Sequence, residues 1–160
     1  MKVGIIVHSK TGTTLRFGKM IAEELKKEGH SAEVIELRID PPGWQGSTRA
    51  APDFKMIDPP DGSRFDALLL GGPVWGFSAS PVIIKFIKEM RGIKGKKVLP
   101  FITQGFPFAG MGGKRALSQM TKEAKAKGAR VLPGKSAQKM LHNIDEKMKK
   151  GASEVPGLLR

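Results

Sequence analysis

An apolar run at residues 3–7, Val-Gly-Ile-Ile-Val, passes through Ser9-Lys10-Thr11-Gly12-Thr13-Thr14 straight into a helical pattern. No other stretch constrains the fold as much, because a strand that runs at once into a helix builds crossover connections and a parallel sheet. The helix reads from about residue 13 to 28, with Phe17, Met20, Ile21 and Leu25 on one stripe and Gly29 as its stop. The loop also makes a seat for a phosphate group. The free N–H groups of the first helical turn, the positive end of the helix dipole and several hydroxyls converge there. Its spacing matches neither G-x-x-x-x-G-K-[ST] nor G-x-G-x-x-G. That points away from ATP, GTP and dinucleotides at the first strand and toward a smaller ligand with a terminal phosphate.

The alternation continues along the chain. Residues 32–37 read as a second strand, 65–70 as a third, 97–103 as a fourth and 129–133 as a short fifth. Residues 38–64 are proline-rich, hold Trp44 and read as a long, mostly irregular connection. Ser80 caps a helix with Pro81 in its first turn and Val82, Ile83, Phe86, Ile87 and Met90 on its apolar face. A helix from about residue 113 to 127 turns Leu117, Met120 and Ala124 inward. A last one, from about 137 to 150, shows Met140, Leu141, Ile144 and Met148, and residues 151–160 read as a weakly patterned tail. The expected architecture is α/β: a doubly wound five-stranded parallel sheet, order 2-1-3-4-5, with helices on both faces, forming a single domain over residues 1–150. Ligands of such sheets bind outside the carboxyl ends of the strands, where the order reverses.

The loops at that edge are specialised. After the third strand comes Gly71-Gly72-Pro73-Val74-Trp75-Gly76-Phe77, and after the fourth Gln104-Gly105-Phe106-Pro107-Phe108-Ala109-Gly110-Met111-Gly112-Gly113. Two glycine-rich, aromatic-bearing loops beside a phosphate seat describe a pocket for a flat conjugated ring on a phosphorylated tail. Stacking on aromatic faces is worth about 0.5–1.5 kcal/mol beyond area burial.

With these three loops in order, the chain resembles the flavodoxin family over most of residues 1–150. The family's first loop typically reads [S/T]-x-T-G-x-T, and here Thr13 stands where Asn is common. The resemblance implies flavin mononucleotide (FMN) as cofactor. Its phosphate would be held by Ser9, Lys10, Thr11, Gly12, Thr13 and Thr14, and its ring by Gly72, Pro73, Val74, Trp75, Gly76 and Phe77. Gln104, Gly105, Phe106, Phe108, Gly112 and Gly113 would close the other side. In relatives the peptide after the glycine matching Gly76 flips as the flavin takes up an electron and a proton; otherwise Gly76 simply permits close approach to the ring. Many members cover the outer face of the ring with tyrosine, and this chain has none. Either Phe106 or Phe108 replaces it, or that face stays open to a hydride donor. The function so implied is an electron-transfer carrier. One alternative is an NAD(P)H-dependent quinone or nitro reductase; another, of a different class, is a basic module for nucleic acid or acidic protein.

Charge bears on the partner. Residues 1–80 hold 10 Lys and Arg against 10 Asp and Glu, while residues 81–160 hold 18 against 5, which supplies the whole net charge of +13. Such a field attracts an anionic redox partner protein or small acceptor. Aromatic residues interleaved with that charge are lacking, which argues against nucleic acid. It should also make the second reduction of a bound flavin less negative than in acidic members of the family. Lys10 and Arg16 flank the phosphate loop, either neutralising the ligand or remaining solvated. There is no cysteine, and His8, His30 and His142 lack ligand spacing, so no metal is expected. His8 reads as a structural histidine at the end of the first strand, and His142 as solvent-facing. No apolar stretch nears the roughly 20 residues of a membrane span and no secretory leader is visible, so the expected compartment is the cytoplasm.

Overall fold

The computed structural model describes residues 1–41, 53–105, 110 and 112–160. Trp44, Phe106 and Phe108 lie outside the described residues. Five parallel ladder segments build the main sheet: β1 (Lys2–Val7), β2 (Ser31–Glu36), β5 (Ala67–Trp75), β7 (Lys97–Gln104) and the paired pieces β8 (Arg130–Val131) and β9 (Lys135–Gln138). Their order, β2-β1-β5-β7-β8 with β9 also on β7, is the expected doubly wound topology.

Apolar residues at alternate strand positions go to opposite faces. Ile6, Leu68, Leu70, Val98 and Ile102 pack under α2 (Pro81–Glu89) and α3 (Gly113–Ala126). Val3, Ile5, Val7, Leu69, Leu99 and Phe101 pack under α1 (Thr13–Lys27) and α4 (Ile144–Leu159). On the second face Phe17 and Phe101 meet edge to face at 5.3 Å. A Cβ on Gly71 would stand 2.2 Å from the Phe101 ring, so that strand position has room for hydrogen only.

Three expectations are corrected. First, the fifth strand is longer than residues 129–133 and is split. Its register against β7 shifts by one residue between Lys97↔Arg130 and Phe101↔Lys135, which is a bulge around Pro133 and Gly134. Second, the last helix starts at residue 144 rather than about 137, because Asn143 caps it by accepting from the N–H groups of Asp145 and Glu146. Third, residues 151–159 are no loose tail but the second half of α4. Met148, Ala152, Val155 and Leu159 are all buried at four-three-four spacing, and Lys97 Nζ donates to the carbonyls of Leu159 (2.8 Å) and Arg160 (3.0 Å) at the helix end.

The connection over residues 38–64 has more structure than its prolines suggest. β3 (Arg38–Asp40) pairs antiparallel with β4 (Lys55–Ile57), and a 3-10 turn spans Gly62–Arg64. No described helix is long and apolar enough to cross a membrane.

Candidate functional site

β1 delivers the chain to the carboxyl edge of the sheet at His8. Gly12, with φ 88°, turns it into α1 as an N-cap that supplies no side-chain hydrogen bond. The N–H groups of the first helical turn are therefore left for something else to satisfy. Arg16 N–H is the first to reach back, to Gly12 O at 2.9 Å. Lys10, Thr11 and Gly12 are exposed and Thr13 half-buried, with the Thr11 and Thr13 hydroxyl oxygens 3.5 Å apart. Ser9 Oγ is buried and has no hydrogen-bond partner among the described residues. A buried hydroxyl left unpaired costs about 1–3 kcal/mol.

Thr14 plays a different part from its neighbours. Its hydroxyl is buried and lies 2.7 Å from Thr103 Oγ1, so it ties the start of α1 to β7. Arg16, one candidate for neutralising a phosphate, is instead ion-paired with Asp145 of α4 at 2.8 Å.

The second loop is tighter than a glycine-rich loop over residues 71–77 would be. β5 continues through Gly71, Gly72, Pro73 and Val74 to Trp75, and a two-residue turn at Gly76-Phe77 leads into β6 (Ser78–Ala79), which pairs back on β5. Both turn residues have positive φ, 56° at Gly76 and 63° at Phe77, the type I′ pattern that matches strand twist. Gly72 is explained by packing: a Cβ there would come 2.9 Å from Ile83 Cγ2 of α2. Trp75 is half-buried, and its ring meets the ring of His8 edge-on at 5.1 Å.

His8 Nδ1 also lies 2.7 Å from Ser80 Oγ, which accepts from Ile83 N–H at 3.2 Å as the N-cap of α2. Burial pushes the His8 pKa down to about 4. It is a neutral, engaged structural histidine, as its place in the sequence suggested.

The third loop closes against the second. Gly112 has φ 110°, and a Cβ on it would stand 2.7 Å from Phe77 Cα; one on Gly113 would stand 2.4 Å from Gln104 Oε1. Between the loops is a cavity of about 270 Å³ lined by Val74, Gly76, Phe77, Gln104, Gly105 and Met140. Met140 belongs to a fourth segment that the helical reading of residues 137–150 hid. Backbone bonds from Lys139 N–H to Gln104 O (3.0 Å) and from Met140 N–H to Gly105 O (2.9 Å) lay it along the third loop. Met140 is 53% and Leu141 81% exposed. The Asn-Ile-Asp-Glu run at residues 143–146 was the signal, since an Asn followed by acidic residues marks a helix start.

The loop after β1, the aromatic hairpin and the glycine-bearing end of the third loop thus meet at one sheet edge. The family model described as Flavodoxin matches residues 48–148. The chain belongs to the flavodoxin family. The matched stretch contains the second and third loops, while the first, at residues 9–14, precedes it.

Solved structures carry the same fold. A flavoprotein from Lactobacillus acidophilus NCFM in complex with FMN is 19% identical with a TM-score of 0.69, the match covering 99% of each chain. The flavodoxin, WrbA-like protein from Agrobacterium tumefaciens is 14% identical with a TM-score of 0.68, over 99% of this chain and 94% of that one. Two-electron reduced Megasphaera elsdenii flavodoxin is 19% identical with a TM-score of 0.65, over 95% of this chain and 98% of that one. No curated protein matches the chain.

Proposed function

We propose that the chain binds FMN along the carboxyl edge of the sheet and works as an electron-transfer carrier. The observation that supports this most is Ser9 Oγ, buried and, among the described residues, unbonded and beside a helix N-terminus without a side-chain cap. Those donors suit a phosphate dianion, and family membership says which phosphorylated molecule to expect. Bound FMN supplies the one- and two-electron chemistry.

The protein's own residues supply position. The hydroxyls of Ser9, Thr11 and Thr13, with the N–H groups after Gly12, hold the phosphate end. Thr14 fixes this loop to β7 through Thr103. Trp75, which meets His8 edge to face, would stack on the flavin ring, while Gly112 and Gly113 let the third loop come close to the second. Gly76 and Phe77 line the cavity, and the peptide between them would face the edge of a ring bound there.

The absorption spectrum of the purified protein through stepwise reduction tests the reading. A flavin spectrum that dithionite bleaches in stages, and that NADPH alone bleaches only slowly, supports a carrier. Rapid bleaching by NADPH would replace the carrier with an NAD(P)H-dependent reductase. A protein that stays colourless after addition of FMN would remove both.

A further inference from the structure

The face covered by α2 and α3 carries an open groove of about 450 Å³, lined by Ser78, Ile84, Lys88, Arg115, Gln119 and Lys122 among others. It starts at the hairpin that carries Gly76 and Phe77. Gln119 on α3 pins that hairpin, its Oε1 accepting from Ala79 N–H at 2.8 Å and its Nε2 donating to Ser78 Oγ at 3.5 Å. The groove is therefore mechanically continuous with the second loop.

Its charge is one-sided. Residues 81–127, from α2 through β7 to α3, contain 11 Lys and Arg against two carboxylates, Glu89 and Glu123. On the opposite face α1 and α4 together hold seven Lys and Arg against five Asp and Glu. In the groove itself Glu123 only approaches Lys88, at 4.0 Å. Arg115 and Lys122 are exposed and form no ion pair among the described residues.

We infer that this groove docks the acidic face of a redox partner protein next to the hairpin of the proposed flavin site. The inference rests on the carrier reading above. The cations are spread rather than convergent: Arg115 and Lys122 are seven residues apart, about 10 Å along α3, with Lys88 across the groove on α2. That spacing suits several carboxylates on a protein surface better than one phosphate. Among the described residues the lining offers Ala79, Pro81 and Ile84 as its apolar part and no aromatic ring on which a base or nicotinamide could stack.

The test titrates the 15N-labelled full chain with a plant-type [2Fe–2S] ferredoxin, a strongly acidic redox protein, at low salt. Amide shifts should cluster at Ser78, Ile84, Lys88, Arg115, Gln119 and Lys122. The double variant Arg115→Glu/Lys122→Glu should weaken binding at least about tenfold, whereas Lys149→Glu/Lys150→Glu, which removes the same net charge from exposed positions on α4, should change it less than about twofold. Shifts elsewhere, no binding, or equal weakening by both variants would overturn the inference. So would tighter binding of NADPH or duplex DNA than of ferredoxin at these amides. Because the readout is binding, it stands apart from FMN loading: a chain that docks ferredoxin but takes up no flavin would sink the carrier reading, and with it the redox role of the partner, while the groove would remain a docking face for an acidic protein.

Discussion

His8 Nδ1 and Ser80 Oγ are 2.7 Å apart and both residues are buried. That contact joins the strand that feeds the phosphate loop to the helix that follows the ring-side hairpin, and the same histidine braces Trp75. The loops at residues 9–14 and 71–77 thus share one side chain below the site.

This arrangement gives the fold an acid-side weakness. Burial lowers the His8 pKa to about 4 from an ordinary 6.5, so below pH 6.5 the unfolded chain takes up a proton that the folded chain refuses. The contribution is complete above the unfolded pKa and is lost as pH falls from 6.5 toward 4, by up to on the order of 3 kcal/mol. Urea unfolding at pH 7 and pH 4.5 measures it. His8→Gln should flatten that part of the profile while the carboxylate-driven loss at lower pH remains.

Ser9→Ala should separate stability from cofactor binding. Removing an unpaired buried hydroxyl leaves the apoprotein as stable as before or about 1 kcal/mol more so, while losing a donor to a charged phosphate weakens FMN about ten- to hundredfold. Quenching of flavin fluorescence and urea midpoints report the two effects. Parallel losses in both would show that Ser9 is simply part of the core.

The closeness of the second and third loops is set at Gly112. An alanine there must adopt φ near 110° and push its Cβ against the backbone of Phe77, a cost of about 2–4 kcal/mol. Gly110→Ala is the matched control, since none of the described residues lies within 4 Å of its Cβ position and no unusual φ is required. Thermal unfolding of the pair should show a loss for the first and almost none for the second.

The charge of residues 81–127 should be felt at a bound flavin. A fully reduced flavin is an anion, and a positive face favours it. Added salt screens that attraction, so potentiometric titration should find the second reduction potential falling as ionic strength rises. A potential that rises with salt would mean that local acidic groups, not this face, dominate the ring's surroundings.

Much of this molecule was legible in the sequence, for physical reasons that also explain the failures. The strands β1, β5 and β7 are buried on both faces and read as apolar runs, and Ser80 with Pro81 fixes the start of α2. The strand order then follows from right-handed crossovers. The C-terminal region was misread because Gly151, Pro156 and Gly157 look like helix breakers. Here Gly151 gives room to the Phe17 ring, whose Cζ a Cβ would meet at 3.0 Å, and Pro156, which can donate no N–H bond inside α4, is buried in the same face as Ala152, Val155 and Leu159. The bulge has a local signal in Pro133 and Gly134, which interrupt the strand pattern, but the continuation of the strand at Lys135–Gln138 depends on the register with β7. Nor could a sequence show that Thr14 bonds Thr103, or that Met140 lies beside Gly105: both are long-range contacts.

Phe77 carries a strain that its type explains poorly. It is half-exposed, at 48%, yet holds φ 63° as the second residue of a type I′ turn. An L-residue with a bulky side chain pays about 1–2 kcal/mol for that conformation, whereas asparagine adopts it readily. Phe77→Asn should therefore raise the stability of the apoprotein by about 1 kcal/mol, or about 2–4 °C in melting temperature. Phe77→Val, with a β-branched side chain, should lower it. The aromatic side chain lines the cavity beside Gly76 and Gln104, so the same Asn variant should bind FMN more weakly than the parent. Calorimetry of the apoprotein and a flavin titration decide between the two roles. A more stable apoprotein with poorer flavin binding means that strain is held for the site, and a less stable one means that Phe77 is kept for packing alone.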